Sequence, residues 1–209
     1  MKNFKFAALA LALAAIGSAN AAVITFQTGT SYALAQSTAQ GYADVVNDAV
    51  TGSGRSQVLS SYDNVSNNGI FHNGDSNIAF KSTIDFGLTS AGTYSFRAGV
   101  DFGKGGAVFL DGQVVDFKTN DMWWGGNYGN SSQYFQVSGA ALSAGNHTLT
   151  IYGLEGCCDG GQQVQFAKAG DDYQSFSVNT LAPVPEPETY AMLLGGLAML
   201  GVVARRRRA

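Results

Sequence analysis

Charge is the first scarcity in this chain of 209 residues, since only 13% of positions are Asp, Glu, Lys or Arg. That is about half the usual quarter, yet 11% aromatic content excludes a disordered, fully solvated chain. There are three prolines, two histidines and two cysteines, the cysteines being neighbours. One adjacent cysteine pair, with no second pair beside it, lacks the ligand spacing of a zinc site. No G-x-S-x-G elbow, H-E-x-x-H helix or phosphate-cradling Walker loop occurs, so none of those catalytic frameworks is available. A net charge of −3 gives no whole-chain case for binding nucleic acid.

What is present divides the chain into three parts. Lys2 and Lys5 precede an apolar run from Phe6 to Ile16, and Ala19-Asn20-Ala21 follows it. This pattern predicts a secretory signal peptide over 1–21, cut by signal peptidase after Ala21. The run is too short to span a bilayer. All three prolines fall in Pro183-Val184-Pro185-Glu186-Pro187. An apolar stretch over 190–204 comes next, and then Arg205, Arg206, Arg207 and Arg208. As a helix the stretch would measure about 22 Å, short for a hydrocarbon core of ~30 Å. Snorkelling arginines and local thinning can accommodate the mismatch. A terminal arginine cluster predicts a cytoplasmic end, leaving everything upstream outside the inner membrane.

Pro185-Glu186-Pro187, the hydrophobic segment and the arginine cluster together resemble the PEP-CTERM sorting signal of Gram-negative bacteria. The same tail is also known as an ice-binding-protein C-terminal domain, a label that need not mean ice binding. The resemblance implies processing by an exosortase after export and a transient anchor in the inner membrane. It further implies retention at the cell surface or in the matrix, in species that make extracellular polysaccharide.

Residues 22–182 form the expected exported domain. The chain's fifteen acids include Glu186 and Glu188 in the tail, so this body carries thirteen. Against them stand Arg55, Lys81, Arg97, Lys104, Lys118 and Lys168, a net of −7 that disfavours phosphates and anionic lipid. Period-two alternation dominates it. Ile78, Phe80, Ile84 and Phe86 share a face, with Ser82 as the polar exception. Tyr94, Phe96, Ala98 and Val100 share another, and Val108 and Leu110 lead into the hairpin dipeptide Asp111-Gly112. Val114-Val115, the run over 146–154, Val164 to Phe166, Phe176 to Val178 and Val23 to Phe26 supply further strands. One short helix competes: Tyr42, Val45, Val46, Ala49 and Val50 have helical spacing behind cap candidates Ser37 and Thr38. About eight strands with Gly, Asn and Asp turns predict an all-β antiparallel sandwich or jelly roll. Ser90 to Phe96 and Ser143 to Leu149 echo each other, as two hairpins obeying one turn chemistry would.

The stretches Gly92 to Phe96, Val108 to Gly112 and Leu142 to His147 resemble the lectin-like sandwich of the anthrax protective antigen, shared by bacterial and fungal adhesins. Sugar-binding members of that family hold calcium with two adjacent aspartates after the first stretch. Here Asp101-Phe102-Gly103 stands at that place. Asp101, Asp111, Asp116 and Asp121 have no contiguous EF-hand spacing, so no cofactor or metal is assigned.

Three states are open to Cys157-Cys158: a vicinal disulfide, thiolate metal ligands, or an intermolecular bridge or reactive thiol. A vicinal bridge closes almost no chain, so it would fix a loop shape rather than stabilise by loop closure. Gly156, Gly160 and Gly161 offer the conformational freedom such a turn needs. Cys157, Cys158, Asp159 and Gly160 also resemble the motif that names a CCXG group of PEP-CTERM proteins. Trp123-Trp124, in a glycine-rich loop, can either stack on sugar faces or pack over the sandwich edge. Asp101, Glu155 and Asp159 are carboxylates from which a hydrolytic pair could be assembled. The expected ligand-binding set is therefore Cys157, Cys158, Asp159, Glu155, Trp123, Trp124 and Asp101, with no catalytic residue assigned. The expected function is non-enzymatic binding of carbohydrate or matrix. A purely structural surface protein is the alternative, and a glycoside hydrolase the third reading.

Overall fold

The computed structural model describes residues 22–181. The expected signal peptide over 1–21 and the apolar helix over 190–204 lie outside the described residues. Among those residues no helix is long and apolar enough to cross a membrane.

The chain forms an antiparallel β-sandwich. Its elements are β1 (Val23–Thr30), α1 (Ala39–Ser53), β2 (Arg55–Leu59), α2 (Asn67–Phe71), β3 (Ile78–Leu88), β4 (Gly92–Gly99) and β5 (Asp101–Phe102). They continue with β6 (Gly106–Leu110), β7 (Gln113–Lys118), β8 (Met122–Trp123), β9 (Tyr134–Leu142), β10 (Gly145–Glu155), β11 (Gln163–Lys168) and β12 (Gln174–Ser175). One sheet has the order β2-β1-β3-β10-β6-β7, the second β12-β11-β4-β9, and β5 pairs with β8 in a small ribbon.

The predicted alternation is what packs the two sheets. Ile84 and Phe86 from β3 and Phe96 from β4 are buried, and the Phe86 and Phe96 rings lie 5.7 Å apart. Phe176, just past β12, stands 4.7 Å from Phe166 and 5.6 Å from Phe86, closing the core between the sheets. Each such ring contributes about 1.5–3 kcal/mol by leaving water. Ser82, the polar exception, meets the buried Tyr62 hydroxyl at 2.6 Å. That hydroxyl also donates to Gln162 Oε1 at 3.0 Å, so the polar intrusion is answered by a buried network. At the β6–β7 turn both Asp111 (φ 51°) and Gly112 (φ 75°) are left-handed, as a two-residue hairpin of this twist requires.

Helix α1 forms where its periodicity predicts. Thr38 Oγ1 accepts the Gly41 N–H at 3.0 Å, which caps the first turn. Ala39, Tyr42, Ala43 and Val46 are buried on the outer face of the larger sheet, against Ala79, Ala107, Phe109 and Leu154. Gly29 in β1 faces the backbone of Ala49, and a Cβ there would collide with it. Close seating of the helix therefore depends on that glycine. The Tyr42 hydroxyl then donates to the Lys104 carbonyl at 2.7 Å, tying the helix to the turn between β5 and β6. This bond holds one wall of the cleft described next.

Candidate functional site

Residues from three segments converge on one open cleft of about 400 Å³. The β5 turn brings Asp101, Gly103 and Lys104, β8 and its approach bring Asp121 and Trp123, and the end of β10 brings Glu155 to Cys158. Pairing of Asp101 with Trp123 in the β5–β8 ribbon sets the two opposite each other. The register of β10 on β6 places Gly153 opposite Gly106, which delivers Glu155 beside the same turn.

The Cys157–Cys158 disulfide is formed, with Cα atoms 3.8 Å apart, and both residues are exposed on the rim of the cleft. The turn differs from expectation in where its unusual backbone falls. Cys158 itself takes the positive φ, 76°, and the neighbouring glycines do not. Two of those glycines serve close approach instead. A Cβ at Gly160 would meet the Asp101 carboxylate, and one at Gly161 would stand 2.7 Å from Asn64 Oδ1.

The carboxylates fall into two groups. Glu155 is 3% exposed and spends both oxygens on backbone donors, the Gly103 N–H at 2.5 Å and the Cys157 N–H at 2.8 Å. Asp159 likewise accepts the Asn67 N–H at 3.1 Å and the Asn68 N–H at 2.7 Å, at the start of α2. Burial raises its pKa, opposed by those same bonds. Further backbone bonds, Asp159 N–H to Asp75 O and Asn77 N–H to Gly156 O, both 3.0 Å, stitch the cysteine loop to the 63–77 segment. Glu155 and Asp159 are thus committed to shaping the loop.

Asp101 differs. It is only 6% exposed and lines the cleft, and its carboxylate has no hydrogen-bond partner among the described residues. Burial, followed by the charges of Glu155, Asp121 and Asp159, pushes its pKa up to about 7. Lys104, the cation of the cleft wall, makes no ion pair with any carboxylate among the described residues. Phe102, where the resembled lectin family has its second aspartate, turns into the core. Its ring lies against Gly153 and 5.3 Å from Phe80, so it offers the cleft no ligand atom.

The two tryptophans part company. Trp123 is 65% exposed on the cleft rim. Trp124 packs against Gly99 of β4, with Tyr128 at 5.6 Å. Tyr128 in turn covers the Arg97 guanidinium at 3.8 Å. Of the residues expected to bind a ligand, Asp101, Glu155, Trp123, Cys157 and Cys158 line the cleft, Trp124 clads a sheet, and Asp159 caps a helix. Lys104 was visible in the sequence only as one of six basic residues. Nothing in its surroundings there marked it, because most of its neighbours in the cleft come from β8 and the end of β10. Among the other aspartates, Asp111 accepts the Thr148 N–H at 2.9 Å and meets His147 Nδ1 at 2.7 Å, holding its own hairpin. No group of three or more metal-ligating side chains is assembled among the described residues.

A family model for the PEP-CTERM protein-sorting motif matches residues 183–208. The chain carries a PEP-CTERM sorting motif. That motif implies export, exosortase handling and a surface or extracellular destination. No curated protein matches the chain in sequence. Among solved structures, a PA14 sugar-binding domain from an RTX adhesin has a TM-score of 0.51 at 14% identity, over 79% of this chain and 99% of that one. An anti-sigma factor domain-containing protein has a TM-score of 0.52 at 9% identity, over 81% of this chain and 50% of that one. At such identities the likeness shows the fold, the PA14-type antiparallel sandwich.

Proposed function

We propose that this PEP-CTERM protein is a non-enzymatic component of the cell surface or extracellular matrix that binds polysaccharide in the Trp123–Cys158 cleft. The observation that carries this reading is the cleft's composition. An exposed indole and an exposed disulfide flank a buried carboxylate and an unpaired ammonium. An indole face accepts the C–H face of a sugar ring, while Asp101, Asp121 and Lys104 can bond its hydroxyl groups. The PA14 fold of a sugar-binding adhesin domain supports the same reading. In this reading signal peptidase cuts after Ala21, residues 190–204 anchor the chain transiently in the inner membrane, and exosortase then processes the tail.

Hydrolysis is disfavoured on local chemistry. A glycosidase needs one protonated acid and one free carboxylate flanking the bond. Glu155 and Asp159 have both oxygens engaged by backbone N–H groups, leaving Asp101 without either as its partner. The same stitching favours a second reading, a structural surface protein whose cysteine loop merely holds its shape.

Retention of the exported protein on its producer's own polysaccharide separates these readings. We expect retention, weakened about two- to tenfold by Trp123→Ala, given roughly 0.5–1.5 kcal/mol for an aromatic stacking contact. No retention, or retention untouched by Trp123→Ala, leaves the structural reading standing. Release of reducing ends would identify a hydrolase instead.

A further inference from the structure

The chemical class of sugar follows from what the cleft leaves unpartnered, and the argument rests on the polysaccharide-binding reading above. Asp101 is the decisive group. A carboxylate 6% exposed would ordinarily be paired or hydrogen-bonded, because burying a charge without compensation is expensive. Here burial, and then the charges of Glu155, Asp121 and Asp159, which share its sign, raise its pKa. The described residues offer it no donor. Gly160 lets it sit where it does, since any Cβ there would strike the carboxylate.

Two candidates could relieve that charge. A calcium ion takes six to eight oxygens at about 2.3–2.6 Å. This cleft has Asp101 and Asp121, while the oxygens of Glu155 are already engaged and Phe102 contributes none. An ammonium group has three donors and needs few acceptors, which two carboxylates on a cleft wall can supply. Trp123 stands across the β5–β8 ribbon from Asp101, so a ring seated on the indole presents its edge to the carboxylate side. The acidic body, net −7, adds a long-range field of the sign that draws in a polycation.

We propose that the cleft recognises an amino sugar with a free amine, as in a de-N-acetylated hexosamine polymer, through Asp101 and Asp121 with the ring on Trp123. N-acetylation removes the charge and adds bulk on the carboxylate side, and a uronate brings a like charge to Asp101. Lys104, on the Gly156 side of the cleft, donates to ring or hydroxyl oxygens.

Calorimetric titration of the full exported protein tests this at neutral pH and low salt, with hexamers of glucosamine, N-acetylglucosamine and a hexuronate. The glucosamine hexamer should bind at least about tenfold more tightly than either of the others, the equivalent of ~1.4 kcal/mol. Asp101→Asn, nearly identical in shape, should abolish that preference while the circular-dichroism spectrum is unchanged. Should that variant perturb the fold, loss of the preference in added salt for the unaltered protein reads the same electrostatics. Equal or tighter binding of the N-acetylated or acidic hexamer overturns the amine assignment while leaving a sugar-binding cleft intact. Binding that requires calcium and is abolished by a chelator overturns it in favour of a metal. If none of the three hexamers and none of the producer's polysaccharide binds, the polysaccharide reading itself falls.

Discussion

Replacing Asp101 by asparagine should stabilise the protein above neutrality and leave it almost unchanged in acid. In the folded chain Asp101 keeps its proton up to about pH 7, against 3.8 for a free side chain. Between those values the unfolded chain has released the proton and the folded chain has not. Unfolding therefore releases a proton, and stability falls as pH rises through that window. The contribution is fully present below about pH 4 and lost above about pH 7. At about 1.4 kcal/mol per tenfold change in proton affinity, the whole interval corresponds to roughly 4 kcal/mol. The carboxylate faces an open cleft, so solvent screening reduces this to roughly 2 kcal/mol. Asparagine does not titrate and avoids the loss. Urea unfolding of both proteins across the pH range should show near-equal midpoints in acid. At alkaline pH the variant should gain roughly 2 kcal/mol, or about 4–8 °C in Tm for a domain of this size. A difference that stays constant with pH would refute the reasoning, as would a wild type more stable than the variant above pH 7. The first would mean that Asp101 titrates in the fold as it does in the unfolded chain, and the second that the ionised carboxylate has a stabilising partner in the fold. A gain at alkaline pH would instead mark Asp101 as a group retained at a cost to stability, the usual signature of a binding role.

Other perturbations separate the cleft from its scaffold. Asp159→Ala removes the acceptor of the Asn67 and Asn68 N–H groups and should cost about 2–3 kcal/mol, with faster amide exchange at those two residues. Trp123→Ala should change the unfolding midpoint by less than ~0.5 kcal/mol, whereas Trp124→Ala, which uncovers Gly99 and Tyr128, should cost about 2–4 kcal/mol. Cys157→Ser with Cys158→Ser should shift global stability by under ~1 kcal/mol, because the bridge closes no loop between neighbours. Intact mass with and without a reductant checks the bridge independently, since reduction adds two hydrogen atoms.

The strands and the helix were legible because they report local periodicity. Alternation over 78–88 and 92–99 states which face is apolar, and burial follows it over 80–86 and 93–98, while Ala79 is buried on the other face against α1. The Asp111-Gly112 turn and the Thr38 cap are likewise written in adjacent residues. Strands β2 and β9 were not legible. Arg55–Leu59 buries only Leu59, and Tyr134–Leu142 buries only Phe135, so neither carries a clear two-residue period. At the site, Trp123 and Trp124 are neighbours of one residue type in one loop. Only the pairing of β5 with β8 decides that the first faces solvent and the second a sheet. Asp159 and Glu155 looked like available acids. Three of their four backbone donors lie 52 to 92 residues away, and nothing local announces those.

The sequence alone determined the C-terminal PEP-CTERM motif, the acidic charge of residues 22–182, the sandwich class and the presence of adjacent cysteines. Those depend on composition and on spacing along the chain, and both survive without any long-range contact. Tertiary structure decided which carboxylates are spent on the loop and which one is left without a donor. It also decided which indole lines the cleft. Hydrogen-bond satisfaction and burial belong to pairs of groups brought together in space, and the pairs that matter here join β5, β8, the end of β10 and the 63–77 segment.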